Sequence, residues 1–305
     1  MGQLKSTSIY SLELIWRYKM KMANNLNYVY FGYDKFSAAK NMAIDEILKN
    51  RCEKDNKIYI RFYDFERPCV ILSYSDSKEC LRKEAFENKE IEISRRQSGG
   101  KPIYIDSNIL AYSIIGPLNK ETKEFTSTVS VHNYFGIHIA EAIDKITEIG
   151  RERITIGDVY SIKIDGKPVA GHAQFPTLSH SFFYHGVLAV GKWDVLKINS
   201  LLNLSKVDFE ALKVSPCITD LLKREENINK DMNSIEKIKQ DLAKMILELI
   251  SGSKYQEINS KEKSIIVSNA ESLATNKYST KEWINESNKG IKLKTDSRFC
   301  LLYEG

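Results

Sequence analysis

Residues 91–116 read IEISRRQSGGKPIYIDSNILAYSIIG. IEISRR enters the glycine pair Gly99-Gly100 and KPIYI leaves it. ILAYSIIG then adds a further β-branched and aromatic run that ends at Pro117. The pattern predicts strands joined through a glycine loop. Paired glycines let backbone approach a ligand closely, and Arg95, Arg96 and Lys101 would supply cations for a phosphate or carboxylate. A glycine turn flanked by solvated basic residues accounts for the same letters.

Upstream, Leu26 to Phe31 alternates as a strand does, and Ser37 can cap a helix running through NMAIDEILKN. Ala39, Met42, Ala43, Ile47 and Leu48 recur at helical spacing and give that helix a buried face. IYIRFYDF and CVILSY, separated by Glu66-Arg67-Pro68, read as adjacent strands of one sheet.

Downstream, Val131, Phe135, Ile139, Ala142, Ile143 and Ile146 fall on one helical stripe, with Gly150 placed to end the helix. His138 beside the stripe fits half-buried packing better than ligation. YSIKI and PVAGHAQF flank Asp165-Gly166, a strong two-residue hairpin signal. This hairpin would bring Asp158, Lys167 and Gly171 near one another, or would be an ordinary surface hairpin. SFFYHGVLAV is a further strand in which His185 is the polar interruption, and a satisfied core histidine is the default for it. In the last third, Asn233 and Glu236 form a capping box for a helix striped by Ile235, Ile238, Leu242, Met245 and Leu249 and closed by Gly252. A helix over the Lys261 to Asn276 region leads into KYSTKEW. The sum is an α+β fold: a mixed β-sheet packed with helices.

The 305 residues are 42% hydrophobic and 28% charged, enough to bury a sizeable core, and the mean hydropathy is −0.35. Apolar runs stay well short of the roughly 20 residues a bilayer requires, so no membrane association is expected. Lys plus Arg number 45 against 40 Asp plus Glu; the resulting +5 is spread along the chain and too mild to argue for nucleic acid. Cys52, Cys69, Cys80, Cys217 and Cys300 are scattered and include no C-x-x-C pair, which predicts reduced thiols in a cytoplasmic protein. The histidine spacing supplies no zinc cage. In the first 25 residues Glu13 interrupts the apolar run Ile9 to Trp16, and MGQLKS fits only the loose myristoylation pattern; an extension or an over-called start site is the expectation.

In this order the segments resemble the lipoate-protein ligase branch of the biotin and lipoate ligase superfamily, from about Leu26 to Trp283. NMAIDE resembles the family's first-helix motif, RFYDFERPCVILSY its R-F-Y strands, and RRQSGG its R-R-x-[ST]-G-G-G loop. NILAYSII, DGKPVAGHAQ, HGVLAV and KYSTKEW resemble the four motifs that follow. The biotin branch is disfavoured because RRQSGG stands where G-R-G-R-x-G would. The resemblance implies a biotin/lipoate ligase-like catalytic domain, related to the class II aminoacyl-tRNA synthetase core, over residues 26–255. Residues 1–25 would be an extension and 256–305 a helical tail.

The implied reaction joins lipoate and ATP into lipoyl-adenylate, then passes the lipoyl group to a lysine of an acceptor domain, of a 2-oxoacid dehydrogenase E2 or of the glycine cleavage H protein. By resemblance Arg96, Ser98, Gly99, Gly100, Asp158, Gly171, Ala173 and His185 would bind lipoate or its adenylate, with Asp158 also positioning Mg²⁺. The chain departs from the family at several positions. The hairpin lysine of the ligases is Pro168 here, the third loop glycine is Lys101, the histidine near that loop is Ile105, and the asparagine before the aspartate is Gly157. Lys101 or Lys167 would then have to act as the catalytic cation, and Lys167 could do so only through a bulge or slipped register. A non-catalytic paralogue that binds lipoate, its adenylate or the acceptor is the alternative, as is an octanoyl or lipoyl transferase relative. Residues 151–158 contain no cysteine, so acyl exchange through a cysteine is not supported. About twenty residues follow Trp283, too few for the accessory domain of many single-chain ligases. A separate accessory subunit is therefore expected. KYSTKEW would form an edge of that contact through Tyr278 and Trp283, or would pack on its own domain.

Overall fold

In a computed structural model the described residues are 26–118, 125, 127–157, 160–174, 181–222 and 232–285. The strands are β1 Tyr28–Phe36, β2 Ile58–Phe65, β3 Cys69–Leu72, β4 Glu92–Arg95, β5 Ile103–Ile105, β6 Ile109–Pro117, β7 Ile154–Gly157, β8 Ser161–Ile164, β9 Lys167–Gln174, β10 Ser181–Ala189 and β11 Tyr255–Glu257. The helices that matter below are α1 Ala38–Asp55, α2 Thr128–Thr147, α3 Lys206–Val214, α4 Met232–Ser251, α5 Ser260–Leu273 and α6 Lys281–Asn285.

Eight strands form one mixed sheet in the order β11-β1-β2-β6-β10-β9-β8-β7. β11, β1 and β2 run parallel, and every pairing from β2 to β7 is antiparallel. A second sheet of three strands, β4-β3-β5, lies apart from it. Side chains alternate across β10: Phe183, Val187 and Ala189 join one core, and Phe182, Tyr184 and Leu188 the other. α1, α5 and the small sheet cover the first face; α2 and α4 cover the second. Among the described residues no helix is long and apolar enough to cross a membrane.

The caps explain several element ends. Ser37 Oγ accepts from the amide of Lys40 at the start of α1, and Ser127 makes a reciprocal capping box with Ser130 at the start of α2. Asp165 and Gly166 both have positive φ, as the two-residue hairpin between β8 and β9 requires.

Two readings need correction. β2 and β3 are not neighbours, because β2 is already bonded on both sides by β1 and β6, so the chain after Pro68 starts the second sheet. Asn233 lies inside α4, not ahead of it, since the helix already includes Met232. Residue 255 opens β11, which pairs with β1, and α5 behind it packs Ile266 and Ala270 into the core beside α1. The stretch from 256 to 285 is thus built into the same body as the sheet.

Candidate functional site

The glycine loop leaves β4 and enters β5, so it belongs to the small sheet, and two backbone bonds tie it down. Arg96 N donates to Leu72 O at 2.9 Å, and Tyr74 N donates to Ser98 O at 2.9 Å. Gly100 has φ +101°, a conformation that side-chain-bearing residues rarely adopt, while a Cβ at Gly99 would meet nothing within 4 Å. Of the pair, Gly100 makes the turn, while the space beside Gly99 is open.

Between this loop and the large sheet lies a partly open cavity. Its walls are mostly apolar, with Met42 from α1, Phe65 from β2, Ile71, Ile103 and Ile105 from the small sheet, and Val187 from β10. Polar groups enter from Arg96, Lys101, His185 and Tyr63. An apolar chamber with a few converging polar groups is the usual form of a small-molecule site.

Arg96 is 4% exposed, and its guanidinium serves the loop itself. Nε donates to Ser98 Oγ at 3.1 Å, Nη2 to the carbonyls of Gly99 at 2.6 Å and Lys101 at 2.9 Å, and Nη1 to Ile71 O at 3.2 Å. These acceptors are all neutral. Burial accordingly lowers its pKa to about 10, against the opposing pull of Asp76. Ser98 Oγ also lies 2.5 Å from His185 Nε2. Burial, and secondarily the Arg96 cation, brings the His185 pKa down to about 3, so the imidazole is neutral at physiological pH.

Lys101 lines the cavity and pairs through Nζ with Asp208 Oδ1 of α3 at 3.0 Å. Asp208 sits in the first turn of that helix, where the amide ends favour a carboxylate, and Ser205 caps the turn. Lys167 is elsewhere. The β8–β9 register slips between Ile162, opposite Ala170, and Lys163, opposite Pro168, leaving Val169 as the extra residue of a bulge. Val169 and Ala170 both enter the second core, Pro168 is buried, and Lys167 stays exposed at the strand start, away from the cavity lining. The bulge needed to bring Lys167 inward exists and does not do so.

Gly171, Ala173 and His185 line the cavity as the hairpin and strand resemblance implies. Asp158, assigned to the nucleotide and Mg²⁺, lies outside the described residues. Among the described residues no cluster of three or more His, Cys, Asp or Glu side chains could hold a metal ion. Arg95 does not add a third cation to the cavity; it is taken up by carbonyls of the tail. Tyr278, expected as an anchor for another protein, is fully buried in its own domain, where its hydroxyl donates to Glu46.

The sequence reading missed the polar floor. Arg61, fully buried, pairs with Asp45 at 3.0 Å and donates to Asn41 O and Oδ1. Ser113 donates to Asp45 at 2.8 Å, and Tyr63, which lines the cavity, donates to the same carboxylate at 3.4 Å. Burial pushes the Asp45 carboxyl upward against the contrary pull of Arg61 and the two hydroxyls. The available signal was Asn41 and Asp45 four residues apart in NMAIDE, one helical turn, facing the arginine of IYIRFYDF.

The sequence profile of the family described as "Lipoyl protein ligase A/B catalytic domain" matches residues 37–245. Lipoate-protein ligase 1 of Staphylococcus aureus is 26% identical over 268 residues, 85% of this chain and 73% of that protein. Lipoate-protein ligase LplJ of Bacillus subtilis is 29% identical over 148 residues, 48% of this chain and 41% of that protein. A solved lipoate-protein ligase A bound with ATP superposes with a TM-score of 0.66 at 17% identity, covering 86% of this chain and 100% of that one. A chain from the structure of a bipartite lipoate protein ligase and its E2 lipoyl domain, from Thermoplasma acidophilum, gives 0.66 at 18% identity over 88% and 99%. At such identities the structural likeness concerns the fold.

Proposed function

Since the chain belongs to the lipoyl protein ligase A/B catalytic-domain family, we propose that it is an ATP-dependent lipoate-protein ligase. The observation that carries this reading is the apolar cavity lined at one side by Arg96 and Lys101, the two ends of the glycine loop. A dithiolane and its aliphatic chain would gain about 0.8 kcal/mol per buried methylene there. A lipoate carboxylate oxygen would attack the α-phosphorus of ATP, with pyrophosphate as the leaving group. The acceptor lysine amine would then attack the lipoyl carbonyl and release AMP. Lys101, paired with Asp208, would bring a cation near the charge that develops at the cavity wall, while Ser98 and the amides of Gly99 and Gly100 would hold the carboxylate or phosphate. His185, neutral, supplies a hydrogen-bonding ring without competing charge. Mg²⁺ would be held largely by the ATP phosphates, as is usual for this ion.

Pro168 favours a second reading, in which the chain binds lipoate or its adenylate and does not make it. The partners in either case are a lipoyl acceptor domain and, by likeness to the bipartite archaeal ligase, an accessory subunit. Action in the reducing cytoplasm is part of the same proposal. ATP–pyrophosphate exchange with lipoate, octanoate and biotin offered in parallel separates the readings. Lipoate-dependent exchange is the expected result. Binding of lipoate without exchange, by the chain alone and with an accessory subunit, would leave the binding role.

A further inference from the structure

Arg95 and Arg96 are consecutive, and they serve different neighbours. Arg95 is 1% exposed. Its Nε donates to Trp283 O at 3.0 Å, Nη2 to Ile284 O at 2.7 Å, and Nη1 to Ser73 O at 2.5 Å. The contact is reciprocal, because Trp283 Nε1 donates back to Arg95 O at 3.0 Å. One residue earlier, Ser94 Oγ donates to Tyr278 O at 3.3 Å. The tail is itself pinned from the other side: Tyr278 Oη and Lys277 Nζ both donate to Glu46 Oε2 of α1, and the Lys277 ammonium sits 4.3 Å from the Trp283 ring centroid.

Carbonyls in the last turn of a helix have no partner within it, so those of Trp283 and Ile284 in α6 are natural acceptors for a buried guanidinium. A guanidinium so enclosed is costly to release, because its donors lose water on burial and would be left unmet. Arg95 is therefore a fixed point, and Arg96, Ser98, Gly99 and Gly100 follow it directly along the chain. We propose that the tail from Tyr278 to Ile284 positions the ligand loop through the Arg95–Trp283 clasp. The clasp sets where Arg96 and Lys101, the two ends of the loop, stand at the cavity wall. Trp283 and Arg95 are positioning residues; neither lines the cavity. The proposal rests on reading that loop as the contact for lipoate or its adenylate.

The test uses the full chain and compares two substitutions in the tail. Trp283→Phe keeps an aromatic ring and loses the Nε1 donor to Arg95. Tyr278→Phe loses the bond to Glu46 and leaves the clasp intact. Hydrogen exchange of the amides in residues 96–101 is measured without ligand, and lipoate affinity by calorimetry. Trp283→Phe should speed exchange in the loop about tenfold and weaken lipoate binding about tenfold, the loss of one buried hydrogen bond. Tyr278→Phe should leave loop exchange within about twofold, even where it lowers the unfolding temperature as much. Loop exchange unchanged in Trp283→Phe, or raised equally in Tyr278→Phe, would overturn the proposal. If Trp283→Phe does not fold, Arg95→Lys, which keeps the cation and loses the fork, is judged by the same criterion. If the wild-type chain binds no lipoate while the loop exchange behaves as stated, the clasp stands and the functional reading fails.

Discussion

Ser98 Oγ and His185 Nε2, 87 residues apart in sequence, lie 2.5 Å from each other and join the small sheet to a central strand of the large one. The bond makes the loop and the sheet two walls of one chamber. Ser98→Ala would leave the buried His185 nitrogen without its partner, at a cost of about 1–3 kcal/mol. Urea denaturation should show that loss, with lipoate affinity reduced in the same variant. Unchanged stability would mean that the bond contributes nothing net.

The histidines predict an acid-sensitive fold. His185 is brought down to about 3 and His132 to about 4, and His172 is held well below its ordinary value, each chiefly by burial. All three are neutral in the folded chain at pH values where the unfolded chain, with histidine pKa near 6.5, already binds protons. Their contribution to stability is therefore complete above about pH 6.5 and is lost as pH falls toward the folded values. The denaturation midpoint should drop between pH 7.5 and pH 5, and His132→Gln should flatten that slope. A midpoint flat over this range would refute the assignment.

Lys101 and Lys167 should behave differently. Lys101→Ala removes the cation at the cavity wall and should lower lipoate-dependent pyrophosphate exchange about 10²-fold, the scale of one lost electrostatic contact. Lys167→Ala, at an exposed position, should leave the rate unchanged. Equal losses in the two variants would return Lys167 to the site.

The buried pair beneath the cavity gives a stability prediction. Arg61→Met strands the Asp45 carboxylate, and removing one member of a buried pair costs about 3–5 kcal/mol. The partly exposed Lys101–Asp208 pair is a contrast. Asp208→Asn should change folding stability by about 1 kcal/mol or less. Denaturation of both variants under one condition checks the ranking.

Much of this protein was legible in local letters. Helical spacing marked α1 and α2, Ser37 supplied the cap of α1, and Asp165-Gly166 marked a hairpin whose residues do adopt positive φ. The order of seven motifs pointed to the family, and Arg96, Lys101, Gly171, Ala173 and His185 do meet around one cavity. Such features depend on neighbours a few residues away, so spacing records them. The partners of long-range groups left no comparable trace. Nothing near RRQSGG shows that the first arginine is held by carbonyls 188 and 189 residues further along while the second folds over its own loop. Nothing in DGKPV shows that a bulge at Val169 would still leave Lys167 in solvent, or in CVILSY that β2 had no free edge to offer it. Sequence alone determined which segments form strands and helices and which family they compose. Tertiary structure decided which cation faces the cavity, because burial lets a charge persist only where the fold supplies acceptors, and those acceptors come from distant segments.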